Sequence, residues 1–131
     1  MAKAERRINH DTAAYWDGCR AKRLVIARCE NCARWIHPPA AICPGCWSDS
    51  IGHHAVSGEA RVYSFTVTPR STGQEPAVTV WAELVEQSRL IVIGELDGGG
   101  AARIAIGDPL AVAWTEEPDG PVPAFRLKSP A

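Results

Sequence analysis

The chain has 131 residues, of which 46% are hydrophobic and 22% charged, with a net charge of −1 and five cysteines. That is one ordinary domain or two small modules sharing a connector, with the balance of a soluble globular protein. No apolar run reaches the roughly 18 residues of a membrane helix, and cysteines in metal rather than disulfide spacing place the expected compartment in the cytoplasm. The charge is uneven. Residues 1–35 hold eight Lys/Arg against four Asp/Glu (+4) and the remainder six against eleven (−5), which sums to −1. The basic end suits phosphates, an acidic partner surface or a solvated helix face. A dedicated nucleic-acid binder would be more basic throughout.

Residues 1–8 read as a charged lead-in, and Met1–Arg7 is not followed by the apolar stretch of a secretory signal. From Asn9 or Asp11, either of which can cap, Thr12–Lys22 reads as a short helix. Tyr15, Trp16 and Cys19 share one of its faces and need a surface to bury against, either the chain's own body or a partner. Leu24–Arg28 reads as a strand, and Arg34–Pro39 as a second extended piece ended by its prolines.

Around these pieces stand Cys29-x₂-Cys32 and, ten residues on, Cys43-x₂-Cys46. Two such pairs place four thiolates where one tetrahedral zinc can take them all, and a filled shell makes that metal structural, one ion per chain. Cys19 has no place in the shell and reads as a packing residue. Asn31 and Gly45 tolerate the left-handed backbone that such turns often need. Trp35 and Trp47 are expected to pack over the ribbon's apolar side, and His37, His53 and His54 to be surface or packing residues rather than ligands. So small a module folds largely on its metal.

Ser48–Gly58 reads as a linker or turn. Arg61–Thr68 alternates, with Tyr63, Phe65 and Val67 on one side. Ala77–Val85 alternates again, with Val78, Val80, Ala82 and Leu84 on one face and Trp81 opposite. Arg89–Leu96, nearly continuous in apolar residues, reads as a central strand, broken by the run from Asp97 to Gly100. Ala101–Ile106 is a connector with room for one helical turn. Leu110–Thr115 places Leu110, Val112 and Trp114 on one face. Val122–Leu127 is a fifth strand, with Pro123 marking an edge or an end. Five short strands in about 70 residues match a Greek-key barrel of the OB type.

The fold class is therefore mainly β: an N-terminal helix and lead-in (1–23), a rubredoxin-like zinc ribbon (24–57) and a five-stranded OB-fold barrel (58–131). No phosphate-cradling Gly-rich loop, nucleophile elbow or paired catalytic carboxylates are recognisable. Both modules are recognition folds. One reading is thus an RNA or single-strand nucleic-acid-binding module, with Tyr63, Phe65, Trp81, Arg61 and Arg70 as stacking and phosphate groups.

Beyond these motifs the chain resembles the acyl-CoA-associated OB-fold proteins, the family of domain of unknown function thirty-five. The resemblance rests on Tyr15-Trp16-Asp17-Gly18, on Leu24–Cys29, and on the two cysteine pairs with Trp35 and Pro38-Pro39 between them. It continues with Ser57-Gly58, Val62–Val67 and Ile106–Pro109, in unbroken order over about residues 12–127. Ala33 stands where the family commonly has Gly, and Ala40 where it commonly has Arg. The resemblance implies a non-catalytic accessory subunit of a thiolase-like acyl-CoA enzyme (thiolase, acyltransferase or aldolase) or of a hydratase-type partner. Such a subunit stabilises the complex and helps bind or channel acyl-CoA as a shared ligand. By resemblance, Cys29, Cys32, Cys43 and Cys46 are the zinc ligands. Arg28, Arg61 and Arg70 are the candidates offered for acyl-CoA.

Overall fold

The computed structural model describes residues 8–98, 101 and 103–128. Residues 1–7 of the expected lead-in, and the Gly99-Gly100 end of the glycine run, lie outside them.

Helix α1 spans Ala13–Arg20. Asn9 prepares its start: its Oδ1 accepts from the backbone N–H groups of Asp11 (2.9 Å) and Thr12 (3.0 Å), while Thr12 Oγ1 accepts from Asn9 N–H (2.9 Å). This reciprocal pair satisfies donors that an opening turn leaves free. The helix ends when Lys22 takes φ +56° and Arg23 N–H reaches back to the Gly18 carbonyl (2.8 Å), a left-handed stop that satisfies late carbonyls. Cys19 is fully buried and Tyr15 packs on the main core, so the aromatic face lies against the chain's own body.

The ribbon has three strands rather than two: β1 Val25–Cys29, β2 Trp35–Ile36 and β3 Ile51–Ala55, in the order β2-β1-β3 and antiparallel throughout. β3 corrects the linker expected over Ser48–Gly58. Its residues are half-buried or exposed and include His53 and His54, so no alternation of apolar residues announces it. Backbone pairing with β1, from Val25 opposite Ala55 to Cys29 opposite Ile51, makes it a strand.

The barrel follows: β4 Glu59–Thr68, β5 Ala77–Leu84, β6 Ile91–Leu96, β7 Pro109–Thr115 and β8 Val122–Leu127, closed in the order β4-β5-β6-β8-β7. β7 returns to β4, and β6 meets β8 in parallel, as in an OB-fold barrel. Val78, Val80, Ala82 and Leu84 all turn inward, as their alternation requires. Phe125, Leu110, Val62 and Val92 complete the centre. Leu24 and Ile26 from the ribbon side join the same core, so the two modules share one apolar interior.

Three expectations are corrected here. A bulge between Val62 and Ser64 resets the pleat of β4. Ala60 and Val62 point in, Tyr63 is left 49% exposed, and Phe65 returns to the core. β6 is central, between β5 and β8, but the burial of both faces that its apolar run implies is missing, because Ile93 is 56% exposed. The connector after the glycine run shows turns and no helix among the described residues. Pro123 is the second residue of β8 and pairs with Trp114 of β7, while pairing with β6 begins only at Ala124. Gly94 is required where β8 crosses β6: a β-carbon there would lie 2.8 Å from the Pro123 carbonyl and 3.1 Å from the Phe125 ring. No helix among the described residues is long and apolar enough to cross a membrane.

Candidate metal centre

β1 ends in Cys29, and the chain turns at once through Cys32 into β2. The first knuckle is built by Cys32 N–H donating to Cys29 Sγ (3.4 Å) and Ala33 N–H to the Cys29 carbonyl (2.9 Å). The second repeats the pattern, with Gly45 N–H on Cys43 Sγ (3.3 Å) and Trp47 N–H on the Cys43 carbonyl (3.0 Å). The left-handed residues are therefore those after each pair, Ala33 at φ +67° and Trp47 at φ +69°, and not Asn31 or Gly45. The closing N–H···O=C bond sets this, because it needs the residue after the second cysteine to reverse the chain.

The two knuckles bring Cys29, Cys32, Cys43 and Cys46 together, with all four Sγ atoms within 4.8 Å of one another. Cys29 Sγ lies 3.5 Å from Cys46 Sγ, and Cys32 Sγ lies 3.6 Å from Cys43 Sγ. A tetrahedron with metal–sulfur bonds of about 2.3 Å has edges of about 3.8 Å, so the cluster fits such an ion. Cys29 and Cys43 are buried, and Ala27 and Ile36 pack around them as a small separate core. Cys19 lies in α1 and is not part of the group.

The surroundings favour negative sulfur at two of the four positions. The Asn31 amide, 3.5 Å from Cys46 Sγ, is the main cause that draws the Cys46 thiol down to about 6, helped by the Ser48 N–H. The N–H groups of Cys46 and Gly45 hold Cys43 below its ordinary value. On Cys32 the Arg34 N–H favours the thiolate, but burial and the three neighbouring sulfurs together push it up to about 11. Crowded thiols that resist a further negative charge are what a bound dication relieves.

The remaining candidate residues are dispersed. Trp47 is 82% exposed, which corrects its expected packing over the ribbon. The reversed backbone after Cys46 carries its indole outward. Trp35 is half-buried against the main core. His37 stacks on Tyr15 with ring centroids 5.2 Å apart, and its burial lowers it to about 4. His54 is exposed and lies 2.8 Å from Glu30 Oε1. Of the arginines singled out, Arg28 covers the Trp35 ring at 4.6 Å and donates to the Ala33 carbonyl. Arg61 and Arg70 line two different depressions, so the three are not gathered into one site.

The contact between the modules was not readable from sequence. Trp35 N–H donates to Gln87 Oε1 (2.9 Å), and Gln87 Nε2 donates back to the Trp35 carbonyl (3.0 Å). Gln87 thus pairs with the edge of β2 as a neighbouring strand would. The two residues are 52 positions apart, and neither carries a local signal of the pairing.

Ribbon, four-sulfur cluster and closed barrel define a class: a zinc-ribbon protein fused to an OB-fold. Residues 16–52 match the ChsH2 rubredoxin-like zinc ribbon domain, and residues 53–115 match the ChsH2 C-terminal OB-fold domain. The solved chain described as "Ltp2-ChsH2(DUF35) aldolase" is 32% identical, with a TM-score of 0.82 over 94% of this chain and 98% of that one. The chain belongs to the ChsH2 family of DUF35-type zinc-ribbon OB-fold proteins. A DUF35 family protein of unknown function from Sulfolobus solfataricus shares the fold, at 15% identity and a TM-score of 0.64, over 87% of this chain and 82% of that one. Among curated relatives, a probable enoyl-CoA hydratase alpha subunit from Thermomonospora curvata is 35% identical over 127 residues, 94% of this chain. The 3-oxo-4,17-pregnadiene-20-carboxyl-CoA hydratase alpha subunit of Mycobacterium tuberculosis is 37% identical over 117 residues, 85% of this chain. The matches span only 39% and 36% of those relatives' own lengths.

Proposed function

We propose that the chain is a non-catalytic accessory subunit of a thiolase-like acyl-CoA enzyme, a thiolase, acyltransferase or aldolase, which it stabilises while helping to bind or channel acyl-CoA. The observation that carries this reading is the likeness, over nearly the whole of both chains, to the ChsH2 component of an aldolase. The hydratase alpha subunits among its relatives add the acyl-CoA context and a hydratase-type partner as the variant of the same role. On this reading Cys29, Cys32, Cys43 and Cys46 hold one structural zinc. Four thiolates fill a tetrahedral shell and leave no position for a reacting water. The ion supplies folding energy to the ribbon, on the order of 10 kcal/mol. We place the module boundary after β3, near residues 56–58, and the protein in the cytoplasm, where thiols stay reduced.

The testing experiment is reconstitution. The purified zinc-loaded chain is expected to show no turnover of acyl-CoA by itself and to raise the activity of a thiolase-like protein encoded beside it. Turnover by the isolated chain, or a partner indifferent to its addition, overturns the proposal.

A further inference from the structure

We propose that the groove between the ribbon and the loop joining β5 to β6 is where the chain grips the phosphate-bearing arm of acyl-CoA, through Arg34 on one wall and Arg89 on the other. This rests on the acyl-CoA reading above and adds the place and the groups.

The groove has a volume of about 290 Å³, near the lower end of small-molecule sites, so it holds part of such a ligand rather than all of it. Its walls are fixed relative to each other by the paired Gln87–Trp35 hydrogen bonds, so it is formed before anything binds. Pro38, Ala40 and Ile42 give it an apolar stretch, and Ile42 is 52% exposed with nothing covering it.

Charge distinguishes this groove. Three other depressions set a carboxylate beside their cation: Glu83 with Arg61, Glu75 and Glu95 with Arg70, and Asp108 with Arg103. Here two guanidiniums line the walls and no carboxylate is in the lining, Glu83 standing behind Arg89 on its backbone N–H. Among the described residues neither Arg34 nor Arg89 has an ion pair or a side-chain hydrogen bond.

Arg89 carries a further mark. Its backbone stands at φ +63°, held there by Glu83 Oε2 on its N–H at 2.9 Å. A strained residue with its side chain unengaged is a functional pointer. Guanidiniums recognise phosphate oxygens by charge-assisted, often bidentate hydrogen bonds. A diphosphate between them, with a pantetheine arm running over Pro38 and Ile42, uses both halves of the groove. Arg28, Arg61 and Arg70 are replaced as the residues of interest. Arg28 is spent on Trp35 and Ala33, and the other two face neighbouring carboxylates.

The test is a titration of the ¹⁵N-labelled, zinc-loaded full chain with coenzyme A, with inorganic pyrophosphate as a second probe. Amides of Ala40, Ile42, Ser88 and Arg89 are expected to shift with coenzyme A. Arg34→Gln and Arg89→Gln are each expected to weaken binding on the order of tenfold or more. Arg34 adjoins the metal knuckle, so the Arg89 variant carries the test if the other misfolds. Shifts elsewhere, unchanged affinity in Arg89→Gln, or no shifts at millimolar ligand overturn the groove. So does pyrophosphate binding as tightly as coenzyme A, because the apolar stretch then contributes nothing. If coenzyme A fails but Arg89→Gln abolishes partner association, the groove is a protein contact and the ligand assignment is wrong. Partner activation in the reconstitution is read separately, so the accessory role can survive the loss of this site.

Discussion

Ala33→Gly is expected to make the protein more stable. Ala33 sits at φ +67° because its N–H closes the first knuckle on the Cys29 carbonyl. A left-handed backbone costs an L-residue with a β-carbon about 1–2 kcal/mol. Glycine escapes that cost but loses more chain entropy on folding, about 0.5–1 kcal/mol relative to alanine. The difference leaves a gain of about 0.5–1 kcal/mol, which for a chain of this size is a rise in Tm of about 2–4 °C. The assay is thermal unfolding at fixed free zinc, since metal binding shifts apparent stability by mass action. Gly45→Ala is the paired control. Gly45 is not among the positive-φ residues, and its added β-carbon would meet mainly the flexible Arg34 side chain at 3.2 Å. It should cost little. If Gly45→Ala is strongly destabilising while Ala33→Gly does nothing or harms, the left-handed positions are wrongly placed and the knuckle geometry with them.

Three further outcomes follow from the same structure. Cys29→Ser or Cys46→Ser should abolish stoichiometric zinc and unfold residues 24–50. Elemental analysis and amide spectra read this, and a preparation containing iron, or none of either metal, refutes zinc. Burial lowers His37 to about 4 from 6.5, so between those values the unfolded chain takes a proton that the folded chain refuses. Stability therefore falls as pH drops through that window, by about 1 kcal/mol between pH 7.5 and 5.5 and by about 3 kcal/mol in full. His37→Phe should lose less than the parent between those two pH values in urea unfolding, and equal losses contradict the burial account. Gly94→Ala should destabilise by roughly 1–3 kcal/mol, because the new methyl meets the Pro123 carbonyl and the Phe125 ring. A neutral result means that β6 and β8 are not so close.

Where a residue's structure follows from its immediate neighbours, the chain could be read directly. The alternation from Val78 to Leu84 exposed β5, and the turn residues around Pro118–Pro121 bounded β7 and β8. The paired cysteines announced their own cluster. Where the cause is distant, the signal was absent. β3 exists because β1 offers it a hydrogen-bonding edge, and His53-His54 gives no hint of that. The β4 bulge follows from closing the barrel and turned Tyr63 outward against the alternation of its neighbours. Arg34 and Arg89 are separated by most of the ribbon and half the barrel, and line one groove beside the point where Gln87 docks the loop on β2. The cysteines that gather into one cluster were legible, whereas the groove proposed for the ligand was not.

The most direct test of the accessory role is mass. The zinc-loaded chain and a thiolase-like protein from the same organism, purified separately and mixed, should elute from size exclusion with a light-scattering mass that includes both. Two separate peaks, each at the mass of its own component at micromolar concentrations, would contradict it.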